Sequence, residues 1–204
     1  TTLIKILCSL ILPTKGKVFI NGYDIAREPE KAQFCIGLVT GDERSFYWRL
    51  TGRQNMEFFA ALYNISPEIS KSRIEELFNV LRIEEPEKIF QEYLSGIKQR
   101  LSIARALLHN PAILFFDELT KSLDPTSAKE LRVFIKKTLV EEQKKTVFFS
   151  THQLYEAEEL ADRIAFMVKG RISAVGTLDE LRKVIGKQDA AIEAVYDYFI
   201  TDKG

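Results

Sequence analysis

Two adjacent carboxylates, Asp117 and Glu118, close the apolar run Ala112 to Phe116. An unbroken run of that kind reads as a strand buried on both faces of a parallel sheet. Carboxylates at the carboxyl end of such a strand stand where open α/β sheets bind their ligands. A second candidate lies just upstream, where Leu94-Ser95-Gly96 is a small polar turn that opens a helix. The N–H groups at a helix amino end point outward with the dipole, and that suits an anion. The third candidate is His152, which follows the apolar run Thr146 to Phe149 and the pair Ser150-Thr151. Each has a plainer reading beside the chemical one. An acidic pair is also what an ordinary strand end looks like, a Ser-Gly turn is also a cap, and a histidine after a strand is also a structural residue.

The elements that must position these groups can be read from spacing. Ile97, Leu101, Ala104 and Leu108 recur at four, three and four residues, one dry face of a helix that Asn110-Pro111 stops. Leu3, Ile6, Leu7 and Leu10 have helical spacing before Pro13-Thr14-Lys15-Gly16 breaks it. Lys17 to Ile20 is a short strand ending in the turn pair Asn21-Gly22, and Ile36 to Val39 is a core strand. Phe46-Tyr47-Trp48 falls in a loop, where the aromatics are either core or a protein contact, with the contact favoured. A helix then carries Met56, Phe59, Ala60 and Tyr63, and Pro67 starts another with Ile69, Ile74, Leu77, Phe78 and Leu81 inward. Asp124 caps a helix whose first residue is Pro125 and whose stripe is Leu131, Ile135 and Leu139. Leu154, Ala157 and Ala161 line the next helix, Ile164 to Val168 is a strand, and Gly170-Arg171 turns into Ile172 to Val175. Thr177 and Glu180 make a capping box for a helix over 178–185. Over 187–204 only Ala191, Ala194-Val195 and Tyr198 hint at helix.

The 29 basic and 29 acidic side chains balance, so no global charge points to nucleic acid as a partner. Cys8 and Cys35 lie among apolar residues without paired spacing and read as buried thiols of a cytosolic protein, not as a disulfide or a metal site. No apolar run approaches the length of a membrane span. At 204 residues the chain is long enough for one large domain with a real core.

Taken in order, LSGIK at 94–98, ILFFDE at 113–118, SLD at 122–124 and His152 resemble the ATP-binding cassette (ABC) ATPases: their signature, Walker B strand, D-loop and switch histidine. The resemblance extends from Thr1 to about Ile185. It implies an α/β fold of the P-loop NTPase type, with a mixed, largely parallel sheet. Residues 1–41 and 105–186 would form the catalytic core, 42–104 an inserted helical subdomain carrying the signature, and 187–204 a carboxy-terminal remnant. Thr1 matches the hydroxyl residue that ends the phosphate-binding loop, followed by Thr2, so the chain is expected to be truncated just after that loop's lysine and inactive as it stands. The resemblance implies ATP and Mg²⁺, with Glu118 and His152 catalytic, Thr1 and Asp117 on the metal, and Thr1, Thr2, Ser95, Gly96 and Asp124 on the nucleotide.

It also implies a second cassette closing head to tail, an integral membrane permease, and a place on the cytoplasmic face of the membrane. The sequence departs from the family at Ile97 and Lys98 of the signature and at Leu119, where proline is common. No glutamine follows Val39; Asp42 or Glu43 could take its role, and a plain solvated loop is the other reading. The leading function is the ATP-hydrolysing subunit of an exporter-like transporter. A cassette of translation or DNA repair, or an inert scaffold that dimerises without turnover, is the alternative.

Overall fold

Helix α1 (Thr2–Leu7) is shorter than its apolar pattern, because Ser9 leaves the helical region with φ of 58°. Ile4 and Cys8 are its buried positions, and Leu10, expected on the same stripe, is 59% exposed. The computed structural model describes residues 1–40, 45–121 and 123–201. Asp42 and Glu43, the expected substitutes for the glutamine, and Ser122 of the SLD stretch lie outside the described residues.

Strands β1 (Phe19–Ile20) and β2 (Tyr23–Asp24) form an antiparallel hairpin. Its corner is Asn21 and Gly22, with φ of 49° and 85°, the left-handed pair that a two-residue hairpin turn demands. After helix α2 (Pro29–Phe34) comes β3 (Ile36–Thr40). Helices α3 (Gly52–Leu62), α4 (Pro67–Val80) and α5 (Ser95–Leu107) then precede β4 (Ile113–Asp117). Helix α6 (Pro125–Val133) runs into a π-helical stretch, Phe134–Glu142, and β5 (Thr146–Ser150) follows. The expected stripe survives this change of winding, since Leu131, Ile135 and Leu139 are all buried.

Strands β3, β4 and β5 pair parallel in that order, with Val39 opposite Phe116 and Phe116 opposite Phe149. Leu114, Phe115 and Phe116 of the central strand are buried, as a doubly covered strand requires. Gly37 sets how closely α5 approaches this sheet. A Cβ there would lie 2.4 Å from the Ala106 carbonyl oxygen and 2.6 Å from Leu114 Cδ2.

The aromatic triplet divides instead of acting together. Phe46 is core, stacked on Phe90 at 4.5 Å and edge-on to Phe59, while Tyr47 and Trp48 remain 50% and 48% exposed. In α4 the outcome also differs from the pattern: Ile69 is exposed and Ser70 is buried. Ser70 can turn inward because its hydroxyl donates to the Pro67 carbonyl at 3.1 Å.

The chain divides into two compact units, Thr1–Ser150 and Thr151–Gly204. The second contains helix α7 (Leu154–Leu160), the antiparallel strands β6 (Ile164–Val168) and β7 (Arg171–Gly176), and helices α8 (Leu178–Val184) and α9 (Ile192–Thr201). Its core joins Ile164, Phe166 and Leu181 to Ile192, Val195 and Phe199. The weak helical signal at the end of the chain is therefore a packed helix. Among the described residues, no helix is long and apolar enough to cross a membrane.

Candidate functional site

The parallel register places Asp117 beside Ser150 at the carboxyl ends of β4 and β5. Ser150 Oγ donates to Asp117 Oδ1 at 2.9 Å, and the Thr1 hydroxyl donates to the same oxygen at 3.0 Å. Burial by itself would raise the Asp117 pKa; the hydrogen bonds from the Thr1 and Ser150 hydroxyls oppose it, and the carboxyl is held below its ordinary range. Asp117 is thus a fixed anion with a hydroxyl oxygen beside it. Two hard oxygen groups of this kind fit Mg²⁺, which takes one or two protein ligands and completes its shell with substrate phosphates and water. Among the described residues no group of three or more His, Cys, Asp or Glu could cage a metal without such help.

Glu118 adopts φ of 61°, a left-handed conformation that a non-glycine residue seldom holds without a local constraint. Its backbone N–H donates to Ser150 Oγ at 3.1 Å, so one hydroxyl ties Asp117 and Glu118 together. Leu119, where proline was the family expectation, is buried and serves the core. Cys8 lies close enough to feel this cluster. Burial first, then the Asp117 charge, pushes its thiol up to about 12, so it is no nucleophile at neutral pH.

Ser95 and Gly96 are the first two residues of α5, whose N-cap is Leu94. No side chain caps the turn, so its N–H groups are not claimed by the N-cap side chain. A Cβ on Gly96 would stand 3.5 Å from Ser127 Oγ, which brings the turn beside the start of α6. Asp124 caps α6, accepting from the N–H groups of Thr126 and Ser127 at 3.0 and 3.1 Å. Bonds from Ser127, side chain first and backbone second, keep the Asp124 carboxyl below its ordinary range. The structure thus places Thr1, Asp117 and Glu118 in one cluster, and Gly96 and Asp124 on the neighbouring ends of two helices. Thr2 is exposed and its side chain makes no hydrogen bond among the described residues. His152 belongs to the second unit, exposed on a bend. The bend is fixed on either side by Thr151, whose hydroxyl donates to buried Glu156 at 2.5 Å and accepts from Gln153 N–H at 3.0 Å.

Two supporting residues were not singled out from the sequence. Ser150 carried a readable signal, a hydroxyl at the end of the strand that pairs with Asp117. Asn55 did not. It is fully buried, accepts from Tyr47 N–H at 2.8 Å and donates to the carbonyls of Tyr47 and Thr51 at 3.0 Å. It therefore braces the loop that exposes Tyr47 and Trp48.

Comparison with known proteins places these features among relatives. A family model described as ABC transporter matches residues 1–121. The chain is 32% identical over 182 residues to the ABC transporter ATP-binding protein NatA of Bacillus subtilis (strain 168), covering 89% of this chain and 73% of NatA. It spans only 58% of the length of two other curated relatives. Among solved structures, the ATP-binding subunit of an ABC transporter superposes with a TM-score of 0.83 at 28% identity, over 97% of this chain and 82% of that one. A dimeric post-hydrolysis state of an ATP-binding cassette bound to ADP and Pi matches with a TM-score of 0.75 at 28% identity, over 87% of this chain and 79% of that one.

Proposed function

The chain belongs to the ABC transporter family, and on that footing we propose that it forms the ATP-binding and ATP-hydrolysing part of a subunit that powers transport across a membrane. The observation that carries the reading is the cluster at the strand ends, where Ser150 holds Asp117 and the strained Glu118 side by side.

Hydrolysis of ATP transfers a phosphoryl group to water through a loose transition state, so the protein contributes mainly positioning and charge stabilisation. Thr1 and Asp117 would hold Mg²⁺, which supplies screening of the phosphate charge. Glu118 orients the attacking water and takes its proton; help of this kind is worth roughly 10²–10⁴-fold. His152, two positions past β5 in the chain, is assigned the γ-phosphate contact on the family resemblance. Thr2 lies with Thr1 on the nucleotide on the same ground. Ser95 and Gly96 direct backbone N–H groups at the γ-phosphate bound by a second cassette, and Asp124 lies at that boundary. That a solved relative bound to ADP and Pi is dimeric supports assembly with a second cassette.

In this reading 1–41 and 105–186 form the catalytic core, 42–104 the inserted signature subdomain, and 187–204 a carboxy-terminal remnant. The cassette works on the cytoplasmic face of the membrane against an integral permease.

The test is Glu118→Gln in the full-length protein. The amide keeps the shape and hydrogen bonding and removes the base, so ATP binding persists while turnover falls by roughly 10²-fold or more. Steady-state phosphate release at the unchanged rate would remove Glu118 from the reaction.

A further inference from the structure

Helix α5 carries two cations seven residues apart, Lys98 and Arg105, and two turns of helix put them on one face. Each lies against aromatic rings of the same neighbouring region. The Arg105 guanidinium sits 5.0 Å from the Phe46 ring centre and 5.2 Å from that of Phe59. Lys98 Nζ is 5.3 Å from the ring centre of Trp48 and 5.6 Å from that of Phe90. The two sites differ in what covers them. Arg105 lies against buried Phe46, and burial lowers its pKa. Lys98 shares the face of Trp48, a ring that is 48% exposed.

Lys98 also belongs to the first turn of α5. Its backbone N–H donates to the Leu94 carbonyl at 3.1 Å, across Ser95 and Gly96. Long helical side chains lean back toward the helix amino end, so the Lys98 side chain, while its ammonium lies on the Trp48 and Phe90 rings, leaves the helix on the side of the Ser95-Gly96 turn. The backbone reinforces this route. Phe90 N–H donates to the Leu50 carbonyl at 2.9 Å and Gln91 N–H to the Trp48 carbonyl at 3.2 Å, a few residues before the signature turn begins.

We propose that Lys98 is a positioning residue that couples the Ser95-Gly96 turn to the exposed face of Trp48. This rests on the reading in which that turn receives a phosphate. A phosphate at the turn and the π face of Trp48 attract the same ammonium. A cation–π contact strengthens when the ring is desolvated, so a partner that covers Trp48 changes the hold on Lys98. The coupling is reciprocal by linkage: occupation of the turn changes the surroundings of Trp48. The departure from the family signature at Lys98 thus acquires a physical role.

Trp48 is the one tryptophan of this sequence and serves as the probe. The experiment uses the full-length protein carrying Glu118→Gln, with Lys98 intact, Lys98→Arg or Lys98→Met. Tryptophan emission and light scattering are recorded with and without Mg²⁺-ATP, and a Trp48→Phe companion subtracts any other fluorophore. The expected result is a nucleotide-dependent change in Trp48 emission with lysine or arginine and its loss in Lys98→Met, while all three proteins dimerise. An equal change in Lys98→Met, or none in the parent although it dimerises, overturns the coupling. A parent that binds ATP and stays monomeric removes the underlying reading of the turn. Should Lys98→Met fail to fold, Lys98→Gln takes its place.

Discussion

At residue scale, the Glu118 backbone is held at φ of 61° with its N–H on the Ser150 hydroxyl, and the proposed role of the carboxylate rests on that hold. His109 makes the corresponding case for stability. Its ring is buried, stacks on Tyr63 at 4.1 Å, and bonds through Nε2 to the Ile36 carbonyl at 2.9 Å, while Nδ1 is buried without a hydrogen-bond partner among the described residues. Burial lowers the His109 pKa; the Ile36 bond opposes this and the Lys145 charge adds to it. The folded state therefore resists the proton that the unfolded chain accepts near pH 6.5. Stability is greatest above that pH and falls as the pH drops through it. Thermal unfolding from about pH 8 to about pH 5.5 should show this loss in wild type and a flatter dependence in His109→Gln. Equal slopes would mean that His109 is not the group responsible. The strand-end positions of Asp117, Glu118 and His152 were legible in the sequence because each lies at or just past the end of an apolar run. The His109 environment was not, since the chain reveals neither the Tyr63 ring nor the Ile36 carbonyl that closes over it.

At the scale of elements, the apolar spacing located the helices and strands, and tertiary packing decided which flanking position turned inward. That is why Ile69 gave way to Ser70 in α4, and why Leu10 lies beyond the end of α1. Phe46, Tyr47 and Trp48 look alike in sequence, yet only Phe46 meets the Phe90 and Phe59 rings. Asn55 is what separates them, because it satisfies the backbone of the loop at Tyr47, where the chain turns outward. Asn55→Ala leaves buried backbone groups unpaired and should destabilise the cassette by about 2–3 kcal/mol in urea unfolding. A loss below about 0.5 kcal/mol would show that water replaces the amide. Gly37→Ala tests the sheet in the same way: the contact with Ala106 leaves no room for a methyl group, and a cost of about 1–3 kcal/mol is expected.

For the molecule as a whole, Tyr47 and Trp48 form an exposed aromatic surface braced from beneath, and a membrane subunit is the partner proposed for it. Trp48→Ala in the full-length protein should weaken co-purification with that subunit by about 2 kcal/mol and leave thermal stability nearly unchanged. Unfolding would instead make Trp48 part of the core, and unaltered binding would put the docking surface elsewhere. The central claim is that two copies close around ATP, each presenting its Ser95-Gly96 turn to the other's γ-phosphate. The most direct measurement is the solution mass of full-length Glu118→Gln with and without Mg²⁺-ATP, alone and combined with Ser95→Arg. The mass should double with ATP in Glu118→Gln and remain that of a monomer once arginine fills the turn. A protein that binds ATP and stays monomeric, or one that dimerises equally well with Ser95→Arg, would contradict it.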